Sequence, residues 1–157
     1  MNKLIAVVGM AGSGKSIATD YLEKKGWKKI YFGGVIYEHM REEGIEITPE
    51  SQKEYRENKK KKYGMGAVAY LLKDKIEEAY KTCDTVLDGL YSWDEYVILK
   101  EKFGDRLKLV CVCCDKAIRY ERIGRRVDRP FNLEEIQIRD LSESENLAKV
   151  GPIAFAD

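Results

Sequence analysis

The chain has almost no charge excess. Lysine and arginine number 28 against 27 aspartates and glutamates, a formal net charge of +1 over 157 residues. A nearly neutral chain lacks the global field that draws proteins to nucleic acid or to membrane surfaces, so any anion-binding charge has to be concentrated locally. Histidine is nearly absent. The single one, His39, has no Cys or Asp partner beside it and reads as a surface or pocket residue with no catalytic task. The four cysteines (Cys83, Cys111, Cys113 and Cys114) do not have the spacing of a zinc knuckle. They read as free, small, buried hydrophobes, which fits a reducing, cytoplasmic compartment. No long apolar run is present either. Leu4 to Val8 is too short for a membrane span or a signal-peptide core and runs straight into a glycine motif, so it reads as a buried strand. Internal repeats, low-complexity stretches and linkers are also missing, which leaves residues 1–157 as a single domain.

What is present alternates. The length is sufficient to bury a real core, and 44% apolar with 35% charged residues suits an ordinary globule. Lys3 to Val8 is a β-branched apolar run of the kind covered on both faces. Gly14 to Lys25 has helical periodicity through Ile17, Ala18, Tyr21 and Leu22, stopping at Gly26. Lys29 to Phe32 reads as a second strand, and Val35 to Glu43 as a short helix. Thr48-Pro49 is a hydroxyl cap followed by proline at the first helical position, opening a very polar helix to Lys62. Ala67 to Lys81 resumes with Val68, Leu71, Leu72, Ile76 and Ala79 on one side. Thr85 to Asp88 is a third strand ending in Gly89, and Ser92 with Glu95 is a capping box. Leu107 to Cys114 reads as a fourth strand, with Asp115 capping a helix that carries Ile118 and Ile123. Asn132 and Glu135 start a last helix, to about Ala148. Strands alternating with helices of this length predict an α/β fold, a parallel sheet sandwiched between helices.

Gly9-Met-Ala11-Gly12-Ser13-Gly14-Lys15-Ser16 matches G-x-x-x-x-G-K-[ST] in full, between a strand and a helix. Each fixed position has a physical reason. The glycines allow positive φ and let peptide N–H groups approach phosphate oxygens. The helix that follows, entered through Ser16 and Ile17, points its amides and positive dipole end at the same anion. Lys15 reaches toward the β- and γ-phosphates, and the Ser16 hydroxyl is placed to ligate Mg2+.

With that motif the chain resembles the P-loop nucleoside-monophosphate kinases, closest to the archaeal-type nucleotide kinases related to dephospho-CoA kinase. Four further segments carry the resemblance. Phe32-Gly33-Gly34-Val35-Ile36-Tyr37 resembles the start of the acceptor helix, and residues 34–80 the acceptor-binding helices. Leu87-Asp88-Gly89 resembles the strand-end Asp-Gly, and residues 119–139, with Arg139-Asp140 at their end, the arginine-bearing lid and its return. The resemblance implies a three-layer α/β/α fold with strand order 2-3-1-4-5, Mg-ATP as donor and in-line phosphoryl transfer to a small nucleotide-like acceptor. It implies ATP and Mg2+ as cofactors, neither nucleic acid nor membrane as partner, and a monomer or homodimer. Five of the nine arginines fall between Arg119 and Arg129. Such residues either form a solvated stripe or neutralise the transferring group, an effect worth roughly 10³–10⁵ in turnover. Arg122, Arg126 and Arg139 are the candidates. Asp88, at a strand end where a parallel sheet opens its crevice, holds Mg2+ through water, accepts a hydrogen bond from the acceptor, or is a turn-forming Asp-Gly.

Two departures from the family pattern bear on the acceptor. Related kinases carry Gly-Asp-x-x-Arg where this chain has Gly33-Gly34-Val35-Ile36-Tyr37, and an arginine where Tyr91 stands. A phenol in place of a guanidinium removes both charge and fork geometry. Phe32, Gly33, Tyr37, Arg41, Asp88 and Tyr91 then form the acceptor site. Either its substrate differs from a standard monophosphate, or Arg41 and the lysine run Lys59 to Lys62 take over the anion. The simpler reading of that run is an exposed helix end, where cations suit the dipole. A non-enzymatic ATP sensor is the rival function. A regulatory GTPase is disfavoured by the absence of an Asn-Lys-x-Asp run. Related kinases add a strand after the lid return, so the sheet here is expected to lack its fifth strand or to have lost a tail.

Overall fold

The computed structural model describes residues 2–127, 130–146 and 148–157, with only the backbone of Pro49. Four parallel strands are built from the four apolar segments. They are β1 (Leu4–Val8), β2 (Lys28–Tyr31), β3 (Thr85–Asp88) and β4 (Leu107–Cys111). Their order is β2-β3-β1-β4, with Leu4 opposite both Thr85 and Leu107, and Tyr31 opposite Asp88. The sheet thus has the 2-3-1-4 order that the resemblance implies. The inner strand β3 is buried along its whole length, whereas edge strand β4 alternates, with Leu107 and Leu109 inward and Lys108 and Val110 outward. That difference follows from having one covered face or two.

Eight helices flank the sheet among the described residues: α1 (Lys15–Lys24), α2 (Val35–Glu42), α3 (Pro49–Tyr63), α4 (Ala67–Thr82), α5 (Trp93–Phe103), α6 (Lys116–Gly124), α7 (Leu133–Glu145) and α8 (Val150–Ala154). Three of their starts have the reciprocal side-chain caps that satisfy otherwise unpaired amides. Thr48 pairs with Ser51, Ser92 with Glu95 and Asn132 with Glu135. Asp115 occupies the cap position of α6 without making a capping hydrogen bond. The core gathers Phe32, Met40, Leu72, Ile76, Leu87, Leu90, Leu99 and Leu107. Helix α4 contributes Ala69, Leu72, Ile76 and Tyr80, spaced along one helical face.

Several expectations need correcting. The fourth strand stops at Cys111, because β1 stops at Val8. Val112 still donates to the Val8 carbonyl at 2.9 Å, and beyond it the chain has no partner strand. Cys113 is consequently exposed and none of the four cysteines is buried, although all are free. Helix α1 does not bury Ile17 and Tyr21. Ile17 is 75% exposed, and the residue facing the sheet is Thr19, bonded to Asp88. The last long helix ends at Glu145, and α8 follows a turn in which Ala148 adopts φ 46. No fifth strand is present among the described residues. On the outer edge of β4, Asp157 donates its amide to the Leu109 carbonyl (3.0 Å), and its carboxylate accepts from the Leu109 amide and from Lys108 (2.9 Å each).

Candidate phosphoryl-transfer site

The loop between β1 and α1 has the torsions its motif demands, with Gly9, Gly12 and Gly14 at φ 145, 78 and 102. Two of these glycines are also dictated by space. A Cβ at Gly12 would stand 2.8 Å from the Arg119 carbonyl oxygen, and one at Gly9 would stand 2.6 Å from the Val112 carbonyl oxygen. The loop is therefore wedged between the end of β4 and α6, and within it the Ser13 amide donates to the Met10 carbonyl at 3.2 Å. Helix α1 has no side-chain cap and no acidic residue in its first turn; of its first amides, that of Ile17 donates to the Gly14 carbonyl at 3.1 Å. Gly12, Gly14, Lys15, Ser16 and Ile17 line a cavity of about 230 Å³ whose other wall is Arg122 and Arg126. That cradle fits the phosphates of a nucleotide.

Lys15 is folded back on its own loop, donating to the Met10 carbonyl at 3.0 Å. Burial pushes its ammonium down to about 8, and the Lys149 cation pushes the same way. Glu143 and Asp88 partly oppose them, and Arg139 adds a little to the depression. Ser13, beside Gly9, holds the one buried side-chain polar atom without a hydrogen-bond partner among the described residues.

The arginines divide by role. Arg119 is buried and structural, with Nη1 donating to the Ala11 carbonyl (2.9 Å) and the guanidinium gripping Asp140 through two bonds of 3.1 and 2.6 Å. It ties α6 and α7 to the phosphate loop. Arg122 Nη1 lies 3.5 Å from the Ser13 carbonyl oxygen and joins Arg126 over the cradle. Arg125 points away, to Glu121. Arg139 bonds Glu143 at 3.0 Å and lies over the Phe131 ring. Arg129 falls outside the described residues.

At the ends of β2 and β3 the remaining candidates separate. The Asp88 carboxylate accepts from Thr19 at 3.1 Å and has Lys29 at 3.6 Å. Thr19 Oγ1 also lies 3.2 Å from the Ser16 carbonyl, so one side chain links Asp88 to Ser16, and a hydroxyl and a carboxylate are oxygen donors of the kind Mg2+ takes. Mg2+ ordinarily keeps several waters and needs few protein ligands. Phe32 is a core residue and can serve the site only through its backbone. Gly33 lies under the Tyr31 ring, where a side chain would collide. Tyr91 packs beneath Gly89, its phenol pushed above the ordinary range by burial and by the neighbouring Tyr31 and Asp88. Tyr37 is half-buried on α2, and Arg41 is exposed on that helix. In the lysine run, Lys59 is held by Glu43 and the Tyr55 ring. Lys60, with Arg56, rims a cavity of about 120 Å³ floored by Ile36, Ala67 and Val68. His39 has Glu42 beside it, at 3.6 Å.

Sequence reading missed three charged residues. Lys29 stands between Asp20 and Asp88. Glu143 and Lys149 form a buried ion pair of 2.7 Å beside Tyr91. No spacing pattern points to them; Lys29 is placed by the pairing of β2 with β3, and Glu143 and Lys149 by α7 and the turn after it.

A family model described as an AAA domain matches residues 5–142. A UPF0200 protein of Thermococcus onnurineus is 33% identical over 144 residues, covering 89% of this chain and 78% of that protein. One from Thermococcus kodakarensis is 30% identical over 158 residues, covering 98% and 85%. A UPF0200/UPF0201 protein of Archaeoglobus fulgidus is 33% identical over 144 residues, and the chain spans only 45% of its length. Among solved structures, a gluconokinase from Sinorhizobium meliloti 1021 superposes with a TM-score of 0.53 at 18% identity, over 90% of this chain and 74% of the other. The protein TT1252 from Thermus thermophilus gives 0.60 at 15% identity, over 99% and 85%. At such identities the likeness is one of fold. Among the described residues no helix is long and apolar enough to cross a membrane.

Proposed function

This chain belongs to the UPF0200 family and carries its AAA-type P-loop domain with a kinase-like fold; from that premise we propose that it is an ATP-dependent phosphotransferase acting on a small nucleotide-like acceptor. The observation that carries the reading is the single cavity in which the phosphate loop, Lys15, Ser16, Arg122 and Arg126 face one another. A phosphate loop alone binds nucleotide. Two guanidinium groups set over it are what a transferring phosphoryl group needs, because its charge spreads over the equatorial oxygens in the transition state.

In this reading the amides of Gly12 to Ser16 and the Lys15 ammonium hold the terminal phosphates of the donor. Ser16, with Asp88 through water, would hold Mg2+, which would supply positive charge to offset that of the donor phosphates. An acceptor oxygen attacks the γ-phosphorus as the bond to the bridging oxygen breaks. Arg122 and Arg126 neutralise the group in flight, and Asp88 accepts a hydrogen bond from the acceptor. Tyr37, Tyr91 and the basic rim of Arg56 and Lys60 flank the acceptor side. No covalent intermediate is needed.

Labelled ATP offered with a panel of nucleoside monophosphates and dephospho-CoA tests the assignment. Transfer to one of them is expected, and Lys15→Ala should abolish it while leaving the circular-dichroism spectrum unchanged. Full activity in that variant refutes the assignment. Tyr91 in place of a cation favours one rival, a nucleotide sensor that binds ATP and phosphorylates nothing. Transfer to any acceptor rejects it.

A further inference from the structure

Cys111, Cys113 and Cys114 sit where β4 gives way to the segment leading into α6, and none of them lines the phosphate cavity. Residues two apart in extended chain project to the same side. Cys111 and Cys113 accordingly meet, their sulfurs 3.5 Å apart, while the Cys114 sulfur lies 3.6 Å from Arg122 Nη1. Cys113 is exposed and Cys111 half-buried. Among the described residues no group of three His, Cys, Asp or Glu side chains is arranged to hold a metal ion, so the pair is left to the chemistry of thiols.

The peptide between the two thiols is part of the seat of the phosphate loop. The Val112 amide donates to the Val8 carbonyl at 2.9 Å. Its carbonyl oxygen packs so close to Gly9 that a Cβ there would stand 2.6 Å away. With Gly9, Met10 and Ser13, the three cysteines line a cavity of about 130 Å³ against the loop. The Ser13 hydroxyl is buried there without a hydrogen-bond partner among the described residues, so it does not brace the loop. On the other side of Cys114, Arg122 lies 3.5 Å from the Ser13 carbonyl oxygen and forms part of the phosphate cavity. The cysteine segment therefore touches the nucleotide cradle at two points, Gly9 and Arg122.

Resting for its second half on the loop being a nucleotide site, we propose that Cys111 and Cys113 are a modification site, a dithiol that a small-molecule disulfide oxidises to an internal disulfide, and that closing this bond weakens nucleotide binding. Burial and the neighbouring Cys113 push the Cys111 thiol up, so the exposed Cys113 is the thiolate that attacks a sulfur of the reagent. One small thiolate leaves, and a mixed disulfide remains on Cys113. Cys111 then gives up its proton and attacks the Cys113 sulfur, and the second small thiolate leaves. Two electrons pass to the reagent and two protons to the departing thiolates. Two cysteines and one small disulfide thus become one internal disulfide and two small thiols. Bonded sulfurs stand about 2 Å apart. Closing the bond therefore draws the residues on either side of Val112 together and shifts the Val112 carbonyl against Gly9 and Cys114 against Arg122. A disulfide at an exposed position is of the labile kind that small thiols reopen.

Oxidised glutathione, followed by alkylation and mass spectrometry, reads the thiols. The chain begins with four free cysteines and should keep Cys83 and Cys114, having lost two hydrogen atoms and gained no glutathione. Trypsin puts Cys111, Cys113 and Cys114 in one peptide, Leu109 to Lys116, and Cys83 in another. Cys111→Ser should stop at the mixed disulfide on Cys113. Calorimetry should show the oxidised chain binding Mg·ATP about tenfold more weakly, the loss of one charge-assisted contact, with recovery in dithiothreitol. Cys113→Ser, a change at an exposed side chain, should close no internal disulfide and keep its Mg·ATP affinity after the same treatment. Survival of all four thiols, a covalent dimer, or an internal disulfide in either variant overturns the dithiol assignment. Equal Mg·ATP affinity of oxidised and reduced wild type, or an equal loss in Cys113→Ser, overturns its coupling to the loop. A reduced protein that binds no nucleotide fails differently. It defeats the nucleotide site itself, while the thiol count still decides whether the pair closes.

Discussion

Raising the pH should weaken nucleotide binding through one group. Lys15 titrates at about 8 in the nucleotide-free protein, held there first by burial and then by Lys149, with Glu143 and Asp88 opposing and Arg139 adding. A bound phosphate beside it raises that value again, because an opposite charge favours the ammonium. Binding therefore takes up a proton wherever the free lysine has lost one. At about pH 7 roughly nine-tenths of Lys15 is charged, and at about pH 9 roughly one-tenth, so affinity for Mg·ATP should fall about tenfold, or about 1.4 kcal/mol. Nucleotide phosphates are already ionised across the upper part of this window. Cys111, pushed up to about 11 by burial and by the Cys113 thiol, stays protonated there. Calorimetry in two buffers of different ionisation heat measures the uptake directly. At about pH 8.5 roughly three-quarters of a proton is expected per nucleotide bound. An affinity independent of pH, or proton release, would refute the placement of a half-buried lysine among these charges.

Three further outcomes follow from the packing. Arg119→Met strands the Asp140 carboxylate and releases the Ala11 carbonyl; it should cost about 3–5 kcal/mol, lower Tm by about 10 °C in thermal unfolding, and weaken nucleotide binding. Glu95 is raised to about 7, chiefly by burial. Its folded value lies above its unfolded one, so it contributes stability at acid pH that is lost as pH rises through about 7. Glu95→Gln should accordingly be more stable than wild type by about 1–2 kcal/mol at about pH 8, with the difference vanishing near about pH 5 in denaturant titrations. Ala148→Gly relieves a left-handed alanine and should stabilise the protein by up to about 1 kcal/mol; a loss of stability there would argue against the turn that directs Lys149 inward.

What could be read from the sequence was local. The phosphate loop, the caps at Thr48, Ser92 and Asn132, and the alternation of strand and helix all depend on residues within a few positions of one another. The strand order needed a family resemblance, because no local signal says that β3 inserts between β1 and β2. Helix α1 misled for a physical reason. Ile17 and Tyr21 have helical spacing, but the face against the sheet is set by Thr19, whose hydroxyl bonds Asp88. The last long helix was read too far because its polar end continues without a glycine stop, and the break is made by a left-handed alanine. Lys149 and Glu143 were invisible for the same reason. A lysine after a polar helix reads as solvated, and only the turn at Ala148 buries it against Tyr91. Lys29 likewise reads as a surface strand residue until β2 is laid beside β3.

The account's central claim is that the loop from Gly9 to Ser16 holds the terminal phosphates of a nucleotide. Equilibrium titration of the folded chain with Mg·ATP and Mg·GTP tests it most directly. Saturable binding of at least one of them at a single site, lost in Lys15→Ala, is the predicted result. The absence of binding to either by protein with a native spectrum would contradict it.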